Sequence, residues 1–384
     1  MAGKKTKRIF WDTAAGCLTA PREASAKWGN PSSIHAEGLL AEKKVEEARA
    51  KIAEVLFAHP DEIIFTGSGT ESDNLAILGL AEMTTKKHII TTAIEHKAVL
   101  EPCRHLQKKG YRVTYLSVDK NGQVNLKEFK ESLTKDTFLI SVMMANNETG
   151  SIQPIKEVAK IIRHWRKENN THLPYIHTDA CQAGRFLDLN VAKLGVDLLS
   201  FNGSKIYGPQ GIGALYVRRG VMIAPIMFGG GQERGLRSGT HNVPGIVGLA
   251  EALAVCAKER DKESKSLEKI QKKLFTELKK ISGVTINGGE ENRLPNNINF
   301  SVEGLEGEQL VIELDANGFA VSSGSACSHD SGEGSYSIRA IGGSEDQANR
   351  AIRISLPREA TIAQASQFIK ALKEIIAKYK KLNF

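Results

Sequence analysis

Asp179 and Lys205 each close a short apolar run, and 26 residues separate them. A lysine at a strand end, shielded by the turns of Gly208, Gly211 and Gly213, can shed its charge by desolvation and form a Schiff base with an aldehyde. Alone the signal is weak, because most lysines are solvated surface charges. The acid upstream strengthens it. The gap between them holds one helix and one strand, so two neighbouring parallel strands would bring carboxylate and amine side by side. A third reactive group is Cys327, in the small, polar run Val321 to Ser335. That composition predicts a mobile, exposed loop, where a thiolate can attack a sulfur atom. Cys256, on an apolar helix, and Cys181 fit the ordinary reading of cysteine as a small buried hydrophobe.

Other stretches surround these three. Phe65 to Ile77 reads as strand, small-residue turn and helix. The helix start at Gly69 and Thr70 suits a phosphate, and equally a plain N-cap. His96 and Asn147 follow strands and, taken alone, are polar loop residues. Gln182 lies three residues after Asp179. Phe228 to Thr240 is glycine-rich and carries two arginines.

The elements that must position these residues alternate. Residues 33–57 have helical periodicity through Ala41, Val45, Ala48, Ile52 and Val55. Strands are predicted at Glu62–Thr66, His88–Thr92, Arg112–Leu116 and Thr137–Met144, and helices from Glu71, over Asn125–Leu133 and over Ile155–Glu168. Such alternation predicts a parallel sheet covered by helices, with ligands beyond the strands' carboxyl ends. A long helical stretch over 246–281 follows, with charged blocks from Lys258. After it come strands at Asn296–Val302, Gly318–Ser322 and Ala351–Leu356, a helix at Gly307–Ala316 and a basic final helix. This tail predicts a smaller α/β domain packed on the first.

The 384 residues suffice for two domains, and 41% hydrophobic with 25% charged residues is an ordinary globular composition. The net charge of +8 comes from scattered basic residues, so nucleic acid is not the expected partner. No apolar run approaches bilayer length, and the charged start lacks the apolar core of a secretory leader. Five cysteines without CxxC spacing predict neither a disulfide framework nor a zinc site, and a cytoplasmic setting is expected.

Pyridoxal phosphate needs a carboxylate at its ring nitrogen and a lysine at its aldehyde. With the segments above taken together, the chain resembles the cysteine desulfurase family of pyridoxal-phosphate enzymes, in the class V aminotransferase group, from Asp12 to about Arg358. The resemblance implies an α/β fold of the type I pyridoxal-phosphate transferases. A large domain (17–258) would carry a mainly parallel seven-stranded sheet flanked by helices. A small domain (1–16 and 259–384) would carry the Cys327 loop. By the same resemblance Asp179 meets the ring nitrogen, Gln182 the phenolic oxygen, and His96 stacks on the ring. Gly69, Thr70, Asn202 and Ser204 match phosphate positions, Asn147 the ring side near the substrate carboxylate, and Arg353 the carboxylate anchor. Asn30 matches a loop near the substrate. Thr240 matches a residue that reaches the neighbouring subunit's phosphate, which implies a homodimer. The chain departs from the family at Asn202 (usually Ser), at Ser204 (usually His) and at Gly16-Cys17 (usually a Thr pair). The first two departures bear on phosphate affinity. The 26 residues from Cys327 to Arg353 suit the long-loop, group I form.

The implied reaction converts L-cysteine to L-alanine. Lys205 moves the α-proton, Cys327 takes the sulfur as a persulfide, and an acceptor for iron–sulfur assembly or tRNA thiolation receives it. An aminotransferase or a selenocysteine lyase of the same fold is the alternative, and a scaffold without catalysis is another.

Overall fold

The computed structural model describes residues 8–15, 29–324 and 334–382. In chain order the first half holds β1 (Ile9–Phe10), α1 (Ala36–Leu56), β2 (Ile63–Thr66), α2 (Gly69–Ala81), β3 (His88–Thr92), α3 (Lys97–Lys108), β4 (Arg112–Leu116), α4 (Leu126–Ser132), β5 (Thr137–Ser141), α5 (Ile155–Glu168), β6 (Tyr175–Asp179), α6 (Val191–Leu194), β7 (Leu198–Asn202) and β8 (Gly213–Val217). The second half holds α7 (Val243–Leu278), β9 (Val284–Ile286), β10 (Asn297–Val302), α8 (Gly307–Ala316), β11 (Phe319–Ala320), α9 (Tyr336–Ala340), α10 (Glu345–Asn349), β12 (Ala351–Ser355) and α11 (Ile362–Leu382).

Seven strands form one sheet in the order β2-β8-β7-β6-β5-β3-β4. The four pairings from β7 to β4 are parallel, and β8 runs antiparallel to both neighbours. Strands such as β3 and β5 are buried along their whole length, as expected when helices cover both faces. One face packs against α1, α5 and the first half of α7, through Val45, Ile52, Ile162 and Leu249. The other packs against α2 and α3, through Leu75, Ile77 and Val99. A separate antiparallel sheet, β12-β10-β9, shares its core with α8, α11 and the second half of α7. The long helix therefore changes packing partners between Cys256 and Leu267.

Local chemistry sets the element ends. Asn125 caps α4 by accepting the Lys127 and Glu128 N–H groups, and Asn242 caps α7 through Gly245 N–H. Gly195 ends α6 after a single turn at φ 74°. The strand expected through Met144 stops at Ser141, where the chain leaves the sheet toward Asn147. Glu62, expected in β2, lies in the 3-10 turn Pro60–Glu62. The expected Gly318–Ser322 strand shortens to β11, which pairs in parallel with β1. Among the described residues no helix is long and apolar enough to cross a membrane.

Candidate active site

The carboxyl ends of β2, β3, β5, β6 and β7 open on one cavity of about 220 Å³. Gly69, Thr70, His96, Asn147, Asp179, Gln182, Asn202, Lys205 and Arg353 all line it. β6 and β7 are parallel neighbours, with Asp179 opposite Ser200. The register thus sets the acid beside the turn Gly203–Lys205 that carries the lysine.

Some of these side chains are held locally and others from the distant segment 12–15. Asp179 accepts the Cys181 N–H at 2.8 Å. Lys205 is partly buried and donates to the Ala15 carbonyl at 2.7 Å. Gln182 donates to the Ala14 carbonyl at 3.1 Å. His96 caps α3 by accepting the Ala98 N–H on Nδ1 at 3.1 Å. That bond places the neutral ring's proton on Nε2. Arg353, in β12, is 2% exposed and pairs with Asp12 at 2.7 Å. Its backbone N–H donates to the Ser322 carbonyl at 2.7 Å.

Asn30, Ser204 and Thr240 are not brought to this cavity. Asn30 is exposed and accepts the Ser32 N–H within its own loop. Thr240 is exposed on the glycine-rich loop. Cys327 lies outside the described residues, as does Cys17. Cys256 is buried in α7 as expected, whereas Cys181 lines the cavity rather than the core. Burial, and then the charge of Asp179, pushes its thiol well up.

Several residues of the site went unnoticed in the sequence. Asp73, one turn into α2, lines the cavity at 1% exposure. Its Oδ1 lies 3.4 Å from His177 Nε2. His177 is wholly buried and bridges the Ser141 and Ser200 hydroxyls at 2.9 Å each. Burial drives the His177 pKa down to about 4 and raises that of Asp73, which the charge of Asp179 raises further. Glu95, fully buried beside His96, is raised mainly by burial, against hydrogen bonds from Met143 N–H and the Thr92 hydroxyl. Spacing offered a signal for two of these. His177 and Asp179 share a strand face, and Asp73 shares a helix face with Gly69 and Thr70. No such signal marked Ala14 and Ala15, which act through backbone carbonyls.

The sequence profile of the class-V aminotransferases matches residues 18–368, and the chain belongs to that family. It is 46% identical over 360 residues to the cysteine desulfurase IscS of Dictyoglomus turgidum, covering 93% of this chain and 90% of that protein. A solved NifS-like protein superposes with a TM-score of 0.89 at 39% identity, over 96% of this chain and 99% of its own. A structure of SspA in complex with cysteine superposes with a TM-score of 0.77 at 34% identity, over 93% of this chain and 100% of its own.

Proposed function

We propose that the protein is a pyridoxal-phosphate-dependent cysteine desulfurase that converts L-cysteine to L-alanine and passes the sulfur on through Cys327. One observation carries the reading: an amine, an acid, an imidazole and a guanidinium from distant segments line a single cavity. The lining fits the cofactor and its substrate. Arg353 Nε, a buried donor, has no hydrogen-bond partner among the described residues and is left for a carboxylate oxygen, and the amide oxygens of Asn147 and Asn202 are unpartnered acceptors. A Cβ at Gly69 would lie 2.5 Å from Cys181 Sγ, so glycine lets the start of α2, whose N–H groups suit a phosphate, pack close to Cys181 at the cavity wall.

Pyridoxal phosphate, when bound, supplies an electron sink for charge developing at the substrate α-carbon. Asp179 would hold a proton at its ring nitrogen. Gln182 and Asn202 would hold its ring oxygen and phosphate, and His96 would stack against it. Arg353 holds the substrate carboxylate, with Asn147 beside it. The Lys205 amine removes the α-proton. The Cys327 thiolate attacks the substrate sulfur, so an S–S bond forms as the C–S bond breaks. The electron pair stays on the carbon that becomes the methyl of alanine. Sulfur leaves as the Cys327 persulfide, for a scaffold of iron–sulfur assembly or tRNA thiolation, in a reducing cytoplasm. The working form is a homodimer in which Thr240 serves the neighbouring cavity. Residues 17–258 form the cofactor domain, and 1–16 with 259–384 the small one.

The test is Cys327→Ala. Alanine formation from L-cysteine should fall by at least about a hundredfold while cofactor absorbance is kept. Undiminished alanine formation would sink the reading, and full transamination would favour an aminotransferase.

A further inference from the structure

Arg353 meets a carboxylate of its own chain before it meets any substrate. Its Nη2 donates to Asp12 Oδ1 at 2.7 Å. Nη1 reaches the Asn147 carbonyl at 3.3 Å, and Nε has no partner among the described residues. The two side chains are 2% and 16% exposed. Asp12 is not free to withdraw. It forms a parallel bridge with Ser355, whose N–H donates to the Trp11 carbonyl at 2.7 Å. Trp11 is itself wholly buried against Phe319 and Phe368. The same short segment presents the Ala14 carbonyl to Gln182 and the Ala15 carbonyl to Lys205. Its placement is therefore coupled to the cavity at three points.

A buried guanidinium without a counter-charge is strongly destabilising, so Asp12 holds Arg353 in place. A guanidinium carries five N–H donors in a rigid fork, and Asp12 occupies only part of it. A second carboxylate can still dock, but beside a like charge on the same cation.

We propose that Asp12 is a positioning residue for Arg353 that sets, by like-charge sharing of one guanidinium, how tightly the site holds the carboxylate of an amino acid. The proposal rests on the reading of Arg353 as the carboxylate anchor. The shared charge weakens the grip on substrate and product alike, and so speeds the departure of L-alanine.

Calorimetric titration of the holoenzyme with L-alanine and with L-alaninamide, which lacks the carboxylate, tests this. Asp12→Asn keeps an acceptor for Nη2 but removes the charge. The Kd for L-alanine should fall about tenfold, the scale of one partly solvated charge–charge contact. The KM for L-cysteine should fall with it, and the Kd for L-alaninamide should not move. Unchanged or weaker L-alanine binding, or an equal gain for the amide, overturns the proposal. Arg353→Gln separates the two levels. If it leaves L-alanine binding intact, the anchor reading itself fails. If it weakens binding while Asp12→Asn does not tighten it, only the present proposal fails. Should Asp12→Asn not fold, Asp12→Ser removes the same charge and carries the same titration.

Discussion

Four ionisable groups crowd the carboxyl ends of β3 and β6 and the first turns of α2: Asp73, Glu95, His177 and Asp179. Charge that is buried without a partner is driven out by titration. Burial raises Asp73 and Glu95 toward the neutral acid and lowers His177 to about 4, toward the neutral imidazole. This arrangement has a cost that pH exposes. The folded pKa of His177 lies below its unfolded value of about 6.5. The unfolded chain therefore takes up the proton first, and stability falls as pH drops from about 6.5 to about 4. The contribution reaches about 3 kcal/mol, at about 1.4 kcal/mol per pH unit. In His177→Asn, urea unfolding across that range should show a correspondingly shallower loss. An unchanged pH slope would mean that His177 is charged in the native state.

At the scale of elements, the N-terminus of α2 concentrates the constraints. Ser68 caps it by accepting the Glu71 N–H, and the Glu71 carboxylate accepts the Gly67 N–H at 2.7 Å. Arg237, from the glycine-rich loop, pairs with Glu71 at 2.8 Å. Gly69 packs so closely on Cys181 that a methyl group has no room. Gly69→Ala should therefore lower stability by about 1–3 kcal/mol, the usual scale of overpacking. It should also weaken cofactor binding, read by fluorescence titration of the apoprotein. Unaltered affinity would place the phosphate elsewhere. Much of this level is legible from sequence. The 3.6-residue period gives α5 as Ile155–Glu168, with Ile155, Val158, Ala159 and Ile162 inward. It is less legible at short elements such as α6, where one glycine cuts a helix to a single turn.

Across the whole molecule, a buried ion cluster ties the sheet to the tail. Glu263 of α7 accepts from Arg185 and, at 2.9 Å, from Arg358. Tyr207, two residues after Lys205, lies between the two guanidinium groups, at 4.3 Å and 4.8 Å from its ring centroid. Its hydroxyl accepts the Arg358 N–H at 2.7 Å, and Arg185 also donates to Thr13. Three segments thus converge on one carboxylate that is 3% exposed, and Arg185 ties in a fourth through Thr13. Glu263→Ala strands the buried Arg185, while Arg358 is 36% exposed, and should cost about 3–5 kcal/mol. The urea midpoint would fall with an unchanged m-value. A shift under about 1 kcal/mol would show that water already serves these arginines.

The alternation of apolar runs settled the parallel sheet. The types and spacing of Asp179, Lys205 and Gln182 pointed to strand ends that do open on one cavity, because period and turn residues are local properties of the chain. What lines the cavity beside them was decided only in three dimensions. Asp12, Ala14 and Ala15 reach Arg353, Gln182 and Lys205 across gaps of 168 residues or more. Contacts made through a backbone carbonyl, or by an acid whose partner lies in another sheet, leave no periodic trace. They arise when β1 pairs with β11 and carries its segment to the edge of the site.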